Sequence, residues 1–272
     1  MRTTIADSAT WLFVPGDRPE RFGKAAMSGA DVVIIDLEDA VAPARKAVAR
    51  NATSGILGNG RPWAVRINAA TTPEFDRDLD ALATAGATPL ALVLAKAERP
   101  EDIDRAGEAL GVGVVALIES ACGVVRLDDL TSARWIRRLA FGAVDFSLDI
   151  GAAMSSTPVD HARSELVISS RAAELPAPLD SPTLALDDTA SVGRDAVRAK
   201  AMGMGGKLCI HPAQVAAVAE AFRPTHEEIR DARQILAAVD GKDGAISHNG
   251  AMIDRPVVER ALRLLRDAGE TD

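Results

Sequence analysis

Eight short apolar runs punctuate this chain, and most are separated from the next by a segment long enough for a helix. They are WLFVP (11–15), DVVIIDL (31–37), PWAVRIN (62–68), PLALVLA (89–95), GVVALIE (113–119), RRLAFGA (137–143), PTLAL (182–186) and GKLCIHP (206–212). Runs this short, apolar on both faces, predict strands of a parallel sheet covered on both sides. RPERFGKAAMSG, ARKAVARNATSGIL, EFDRDLDALATAG, PEDIDRAGEAL, HARSELVISSRAAEL and VGRDAVRAKAMG carry apolar residues at helical spacing, and several end in glycine, as helix C-termini often do. Eight such strands favour closure into a barrel over an open sheet. An open doubly wound sheet is the competing arrangement, and its dinucleotide-binding form lacks the expected G-x-G-x-x-G after the first strand. The expected fold class is therefore α/β, a (β/α)8 TIM barrel.

The 272 residues suit one such barrel with something to spare. After His211 the alternation stops. RPTHEEIRDARQILAAV reads as an amphipathic helix, GKDGAISHNGAMIDRP as a glycine-rich loop and VVERALRLLRDAGE as a last helix. The expected division is a catalytic barrel over 1–221 and extra C-terminal helices over 222–272, forming a lid or a subunit-swapped arm.

Composition narrows the function classes. At 47% hydrophobic the chain can bury a large core, which excludes disorder as its main state. A net charge of −8 argues against nucleic acid or an anionic membrane as the partner, yet leaves room for a small anion held by local Arg, Lys or metal. Cys122 and Cys209 sit in or beside apolar runs and are expected to be buried free thiols. No apolar run is long enough to span a bilayer, and MRTTIADSAT lacks the apolar core of a signal peptide, so a cytoplasmic location is expected. Tyr is absent, which removes one common general acid.

The apolar runs end in chemistry. Asp36, Glu38 and Asp39 follow the second, Arg66 lies in the third, and Lys96, Glu119, Asp145 and His211 close later ones. A parallel barrel gathers the C-terminal ends of its strands on one face, where such folds do chemistry. Glu119 and Asp145 close consecutive predicted strands, and two carboxylates with water and substrate oxygens suit octahedral Mg²⁺. Helix capping or salt bridges are the competing explanation. Cys122 with His161 or His211 gives no zinc spacing. Arg66, inside an apolar strand, needs an anion: a substrate carboxylate, or a structural partner in Asp36 or Glu38. The acidic cluster either caps the next helix or holds Arg66 and metal-bound water. Gly16, Arg18, Arg21 and Lys24 open a helix that suits phosphate or is an ordinary charged surface.

These segments resemble the citrate lyase beta subunit / malyl-CoA lyase family of the HpcH/HpaI-type aldolase superfamily. The resemblance is carried, in order, by LFVPGDRPERFGKAA, DVVIIDLEDAVAPARKAVAR, VRIN, LAKAE, ALIESACGV, LAFGAVDFSLDIG, CIHPAQV and GAMIDRPVVERA, from about Trp11 to the last helix. IIDLEDAV, IES and G-x-x-D-x-x-x-D-I-G are specific as a set. The resemblance implies a (β/α)8 barrel assembling as a homotrimer or hexamer, a Mg²⁺ cofactor, and cleavage or formation of carbon–carbon bonds in 3-hydroxyacyl-CoA thioesters. It makes Glu119 and Asp145 the metal ligands and Arg66 the grip on the substrate. Glu38 and Asp39 support them, and Arg18 and Lys24 meet the coenzyme A phosphates, with His211 a supporting candidate. Asp254 matches a lid aspartate that serves a neighbouring subunit's site as acid/base, although by itself it reads as a helix cap before Arg255-Pro256. Many members have Glu before the metal Asp, where this chain has Val144.

The expected reaction splits a malyl-, citramalyl- or citryl-type thioester into a keto acid and an acyl-CoA. Alternatives are a citrate lyase beta subunit working with complex partners on a carrier-bound citryl thioester, a Mg²⁺-dependent pyruvate aldolase on free hydroxy-keto acids, and a non-catalytic subunit.

Overall fold

The computed structural model describes residues 4–186, 188–239, 246–248 and 251–270. Its first elements are β1 (Thr10–Pro15), α1 (Phe22–Ala26), β2 (Val32–Asp36), α2 (Lys46–Ile56), β3 (Trp63–Ile67), α3 (Glu74–Ala83), β4 (Ala91–Leu94), α4 (Pro100–Leu110) and β5 (Val114–Ile118). Then come α5 (Ala121–Val125), α6 (Leu127–Thr131), β6 (Ile136–Phe141), α7 (Ala143–Asp149), α8 (Thr157–Ala172), β7 (Leu179–Asp180), α9 (Thr189–Ala201), β8 (Gly206–Cys209) and α10 (Pro212–Phe222). The eight parallel strands pair in chain order and β8 returns to β1, so no edge is left open and the fold is a TIM barrel.

Pleating sorts the strand residues into two cores. Trp11, Val32, Ile34, Ala64, Val93, Val115, Leu117, Ala140, Leu179 and Leu208 fill the barrel interior. Their neighbours, among them Val65, Ile67, Leu92, Leu94, Ile118 and Phe141, face the helices and pack on residues such as Phe75, Leu82, Ile103 and Leu166. Arg138 continues the inward positions of β6 towards the barrel's N-terminal end and is fully buried. Its guanidinium donates to the carbonyls of Ala177 (2.7 Å), Ile5 (2.9 Å) and Ser8 (2.7 Å), and burial pulls its pKa down to about 9.

Three expectations need correction. The seventh strand is Leu179–Asp180, not 182–186. Asp180 faces away from the interior and is paired with Lys207 and Arg163, both at 2.8 Å, so a buried ion pair hid the strand from a search for apolar runs. In 182–186, Leu184 and Leu186 are exposed, and the carbonyls of Thr183 and Ala185 accept from the Gln214 amide rather than from a strand. The segments between β5 and α8 hold three short helices, α5 to α7, too brief to show helical periodicity. The helix after β1 is a single 3₁₀ turn (Pro19–Arg21) followed by a five-residue α1. Cys209 is buried, with its thiol pushed up to about 12, whereas Cys122 on α5 is only half-buried; both are free.

The chain divides into two compact units between Glu220 and Ala221. The second comprises α11 (His226–Val239), an antiparallel pair β9 (Ile246–His248) and β10 (Ala251–Ile253), and α12 (Arg255–Asp267). Ala232, Ala261 and Leu265 form its own small core. Of the stretch expected to be a glycine-rich loop, 240–245 and 249–250 lie outside the described residues, and much of the rest is strand rather than loop. Among the described residues no helix is long and apolar enough to cross a membrane.

Candidate active site

The mouth of the barrel follows from the pleat. Side chains alternate faces, so the position two residues beyond each last interior residue again points inward. From Phe13, Ile34, Ala64, Leu117, Ala140, Leu179 and Leu208 this step reaches Pro15, Asp36, Arg66, Glu119, Gly142, Ser181 and Ile210. All seven line one cavity of about 230 Å³. Val144 and Asp145 join them from α7. The cavity therefore gathers Arg66, Glu119 and Asp145, as the sequence predicted. The route of Asp145 differs, because β6 ends at Phe141 and the carboxylate sits in the first turn of a helix.

Glu119 is buried, and one oxygen is fixed: Oε1 accepts the backbone N–H of Lys96 at 2.8 Å. That amide is presented by a left-handed backbone at Lys96 (φ 49°), uncommon for a side-chain-bearing residue. The other oxygen lies over Gly142, where a Cβ would come within 2.7 Å of Oε2 and 2.6 Å of the Glu119 Cβ. The missing side chain at 142 is thus what makes room for this carboxylate. Burial, opposed by Arg66 and Lys96 and reinforced by Glu38, pushes the Glu119 pKa up to about 8. A carboxylate so reluctant to ionise gains from a cation.

Arg66 grips Asp36 with both arms, Nε to Oδ1 at 2.7 Å and Nη2 to Oδ2 at 2.6 Å, and Nη1 reaches Glu38 Oε2 at 3.2 Å. The guanidinium stacks 4.8 Å from the Phe13 ring centroid. Burial alone would lower its pKa; Asp36 and Glu38 override this and raise it. The structural ion pair is therefore real, and of the five donors of a guanidinium two remain for a ligand. Asp36 also accepts from the amides of Glu38 (2.8 Å) and Ala40 (3.2 Å), so it caps the turn after β2 while it holds Arg66. Lys96 Nζ pairs with Glu38 at 2.7 Å and lies 3.5 Å from Asp39, which is exposed; burial lowers the lysine pKa less than these carboxylates raise it.

Behind this cluster lies a brace that sequence reasoning missed. Lys46 is buried and donates to the carbonyls of Leu37 (2.7 Å) and Glu38 (2.9 Å) and to Asn68 Oδ1 (2.6 Å). Asn68 donates through its backbone and side-chain nitrogens to Asp78, which in turn meets Arg50 at 3.0 Å. A lysine in the first turn of α2 gave no sign of burial; the signal available was Asn68 beyond an apolar strand, a polar end that needs partners.

The short helix α7 is tied at both ends. The first amide, Ala143 N–H, donates to Ser181 Oγ at 3.1 Å. At the far end Asp149 Oδ2 accepts from Ala121 N–H at 2.7 Å, two residues beyond Glu119. Asp145 sits between these ties. Glu119 and Asp145 are hard oxygen donors lining one cavity. Among the described residues no group of three or more His, Cys, Asp or Glu forms a closed metal cage. Two carboxylates with open positions fit a hard divalent cation that keeps exchangeable ligands.

Arg18, Lys24 and His211 do not line the cavity. Arg18 is exposed, 4.0 Å from Asp17, which also pairs with Arg45 at 3.3 Å. Lys24 is an exposed residue of α1, too short a helix to offer a dipole site. His211 adjoins Ile210, but its Nδ1 accepts from Ala213 N–H at 3.3 Å, at the start of α10. Asp254 caps α12 by accepting from Val257 N–H at 3.3 Å, the bland role its sequence context suggested.

Comparison with known proteins gives a consistent answer. The profile described as HpcH/HpaI aldolase/citrate lyase matches residues 9–212, and that of a carbon–carbon bond lyase of the TIM-barrel fold matches 159–268. A citrate lyase subunit beta-like protein of Mycobacterium tuberculosis is 39% identical over 96% of this chain and 95% of its own length. An L-malyl-CoA/beta-methylmalyl-CoA lyase of Cereibacter sphaeroides is 32% identical over 94% and 93%. The crystal structure of protein CitE from M. tuberculosis, in complex with magnesium, acetoacetate and coenzyme A, superposes with a TM-score of 0.88 at 38% identity, covering 97% of this chain and 99% of that one.

Proposed function

The chain belongs to the HpcH/HpaI aldolase/citrate lyase family, and from that premise we propose that its barrel mouth works as the active site of a Mg²⁺-dependent carbon–carbon lyase on 3-hydroxyacyl-CoA thioesters. The observation that carries the site is one cavity lined by Glu119, Asp145 and Arg66, with Glu119 Oε2 facing the space left by Gly142. Magnesium and coenzyme A in the CitE crystal structure support the cofactor and the substrate class.

Glu119 and Asp145 hold Mg²⁺. The bound cation supplies Lewis acidity, lowering the pKa of a substrate hydroxyl and stabilising the keto acid oxygen that replaces it. The Lys96 amide keeps Glu119 turned towards that position. Arg66, fixed by Asp36 and stacked on Phe13, offers its two remaining donors to the substrate carboxylate. Glu38 and Asp39 hold Arg66 and Lys96 in place, and Asp39, being exposed, is free to meet water at the mouth. Apolar walls from Phe13, Leu117, Leu208 and Ile210 exclude water from the acyl carbon.

As the carbon–carbon bond breaks, a base takes the hydroxyl proton, the oxygen becomes the carbonyl of the keto acid, and the electron pair of the broken bond passes to the α-carbon of the departing acyl-CoA, which takes up a proton. Asp254 of a neighbouring subunit is the acid for that last step, and the base in the reverse direction. The assembly the family resemblance implies is a homotrimer or hexamer, with the unit after Glu220 as a lid or subunit-swapped arm. Arg18 and Lys24 meet the coenzyme A phosphates, with His211 in support. Incubating the purified chain with Mg²⁺ and malyl-, citramalyl-, methylmalyl- and citryl-CoA tests the reading, with keto acid and acyl-CoA as the products sought. Glu119→Ala is expected to abolish turnover; no cleavage of any of the four by the wild-type chain overturns it.

A further inference from the structure

We propose that Ser181 is a positioning residue for Asp145, acting through the first amide of α7. The inference rests on the assignment of Glu119 and Asp145 as the cation pair. It begins from a conflict at Gly142, the residue that precedes α7. Short helices need a partner for their first amides, and Ser, Thr, Asp or Asn at this position normally supplies one. Here no side chain fits, because any Cβ at 142 would meet Glu119 at 2.6–2.7 Å. The residue that makes room for one carboxylate therefore leaves the helix bearing the other uncapped from within its own segment.

Ser181 resolves the conflict from a different strand. Its hydroxyl accepts the N–H of the fully buried Ala143 at 3.1 Å. Ser181 is itself only 1% exposed, and its carbonyl accepts Lys207 Nζ at 2.6 Å, the same lysine that pairs with Asp180. Pro182 follows and confines Ser181 to an extended backbone. The hydroxyl is thus fixed by β7 and β8, not by the helix it serves. Asp145 lies two residues past the captured amide, in the same turn. With Asp149 tying the other end to Ala121, α7 bridges the mouths of β7 and β5. Loss of the Ser181 hydroxyl leaves a buried amide unpaired and frees the Asp145 end of the bridge, while Glu119 stays pinned by Lys96.

The consequence is specific to the cation. Mg²⁺ demands short, near-ideal octahedral geometry, whereas Ca²⁺ accepts longer and more varied coordination. Calorimetric titration of the full chain with Mg²⁺ and with Ca²⁺ is the test, comparing wild type, Ser181→Ala, Ser181→Thr and Glu119→Gln. Ser181→Ala is expected to weaken Mg²⁺ binding about 10-fold and Ca²⁺ binding by less, with Ser181→Thr restoring much of the loss. Mg²⁺ affinity in Ser181→Ala within about two-fold of wild type, while Glu119→Gln abolishes it, overturns the inference and spares the metal assignment. Undiminished Mg²⁺ binding in Glu119→Gln overturns that assignment itself. Hydrogen exchange in the wild type needs no variant: the Ala143 amide is expected to be protected without metal, and exchange at the rate of a free amide also overturns the inference.

Discussion

Replacing Glu119 by Gln isolates the charge from the shape. Gln keeps the acceptor for the Lys96 amide and almost the same volume, but it cannot ionise. In the metal-free protein the Glu119 carboxyl has its pKa raised by burial from 4.5 to about 8. Between those values the folded chain holds a proton that the unfolded chain has released, so stability falls as pH rises from about 4.5 to about 8. At 1.36 kcal/mol per unit the loss is at most about 5 kcal/mol, and water entering the mouth reduces it. For a chain of this size each kcal/mol moves the melting temperature by about 2–4 °C. Wild-type protein in chelator is therefore expected to melt progressively lower from about pH 4.5 to about pH 8 relative to Glu119→Gln. Mg²⁺ opposes this loss: at 100 times its Kd it stabilises wild type by about 2.7 kcal/mol and leaves the variant nearly unmoved. The assay is a set of thermal melts with and without Mg²⁺ across that pH range. Equal Mg²⁺-dependent shifts in the two proteins would refute the ligand assignment. A pH dependence identical in both would refute the account of Glu119 as a buried, cation-seeking acid.

Gly142→Ala is expected to fold and yet lose about 10- to 100-fold in Mg²⁺ affinity, since the added Cβ displaces the Glu119 carboxylate; calorimetry and circular dichroism together check this. Lys46→Met leaves the Leu37 and Glu38 carbonyls and Asn68 Oδ1 without their donor, and a loss of about 3 kcal/mol is expected in urea unfolding. Asp254→Asn keeps an N-cap for α12 but no acid, so turnover is expected to fall about 10²- to 10⁴-fold at unchanged Mg²⁺ affinity; unchanged turnover would remove Asp254 from the mechanism.

The barrel was legible because its strands are short, apolar and evenly separated, and seven of the eight lie close to where those runs predicted. β7 was not, because its two residues include Asp180, and a strand carrying a buried ion pair has no hydropathy signature. Glu119 and Arg66 could be found from the strand ends alone, since pleating decides which way such residues point. Asp145 was found too, though for an incomplete reason: it reaches the cavity from a seven-residue helix that periodicity cannot reveal. What the sequence concealed were partnerships between distant residues. Nothing local joins Lys46 to Asn68, or Ser181 to Ala143, and only the closed barrel brings them within bonding distance.

Arg138 invites a different kind of conclusion. Among the described residues its three acceptors are main-chain carbonyls, belonging to Ile5, Ser8 and Ala177, so the chemical identity of those three residues scarcely matters to it. Random mutagenesis should therefore find a lopsided pattern at the floor of the barrel, with one position intolerant and its partners permissive. At the mouth, where the Arg66–Asp36 and Lys96–Glu38 contacts have a side chain on both sides, intolerance at those positions should come in pairs. The two ends of one barrel thus record their histories differently, and the floor can drift in sequence while its architecture stands still.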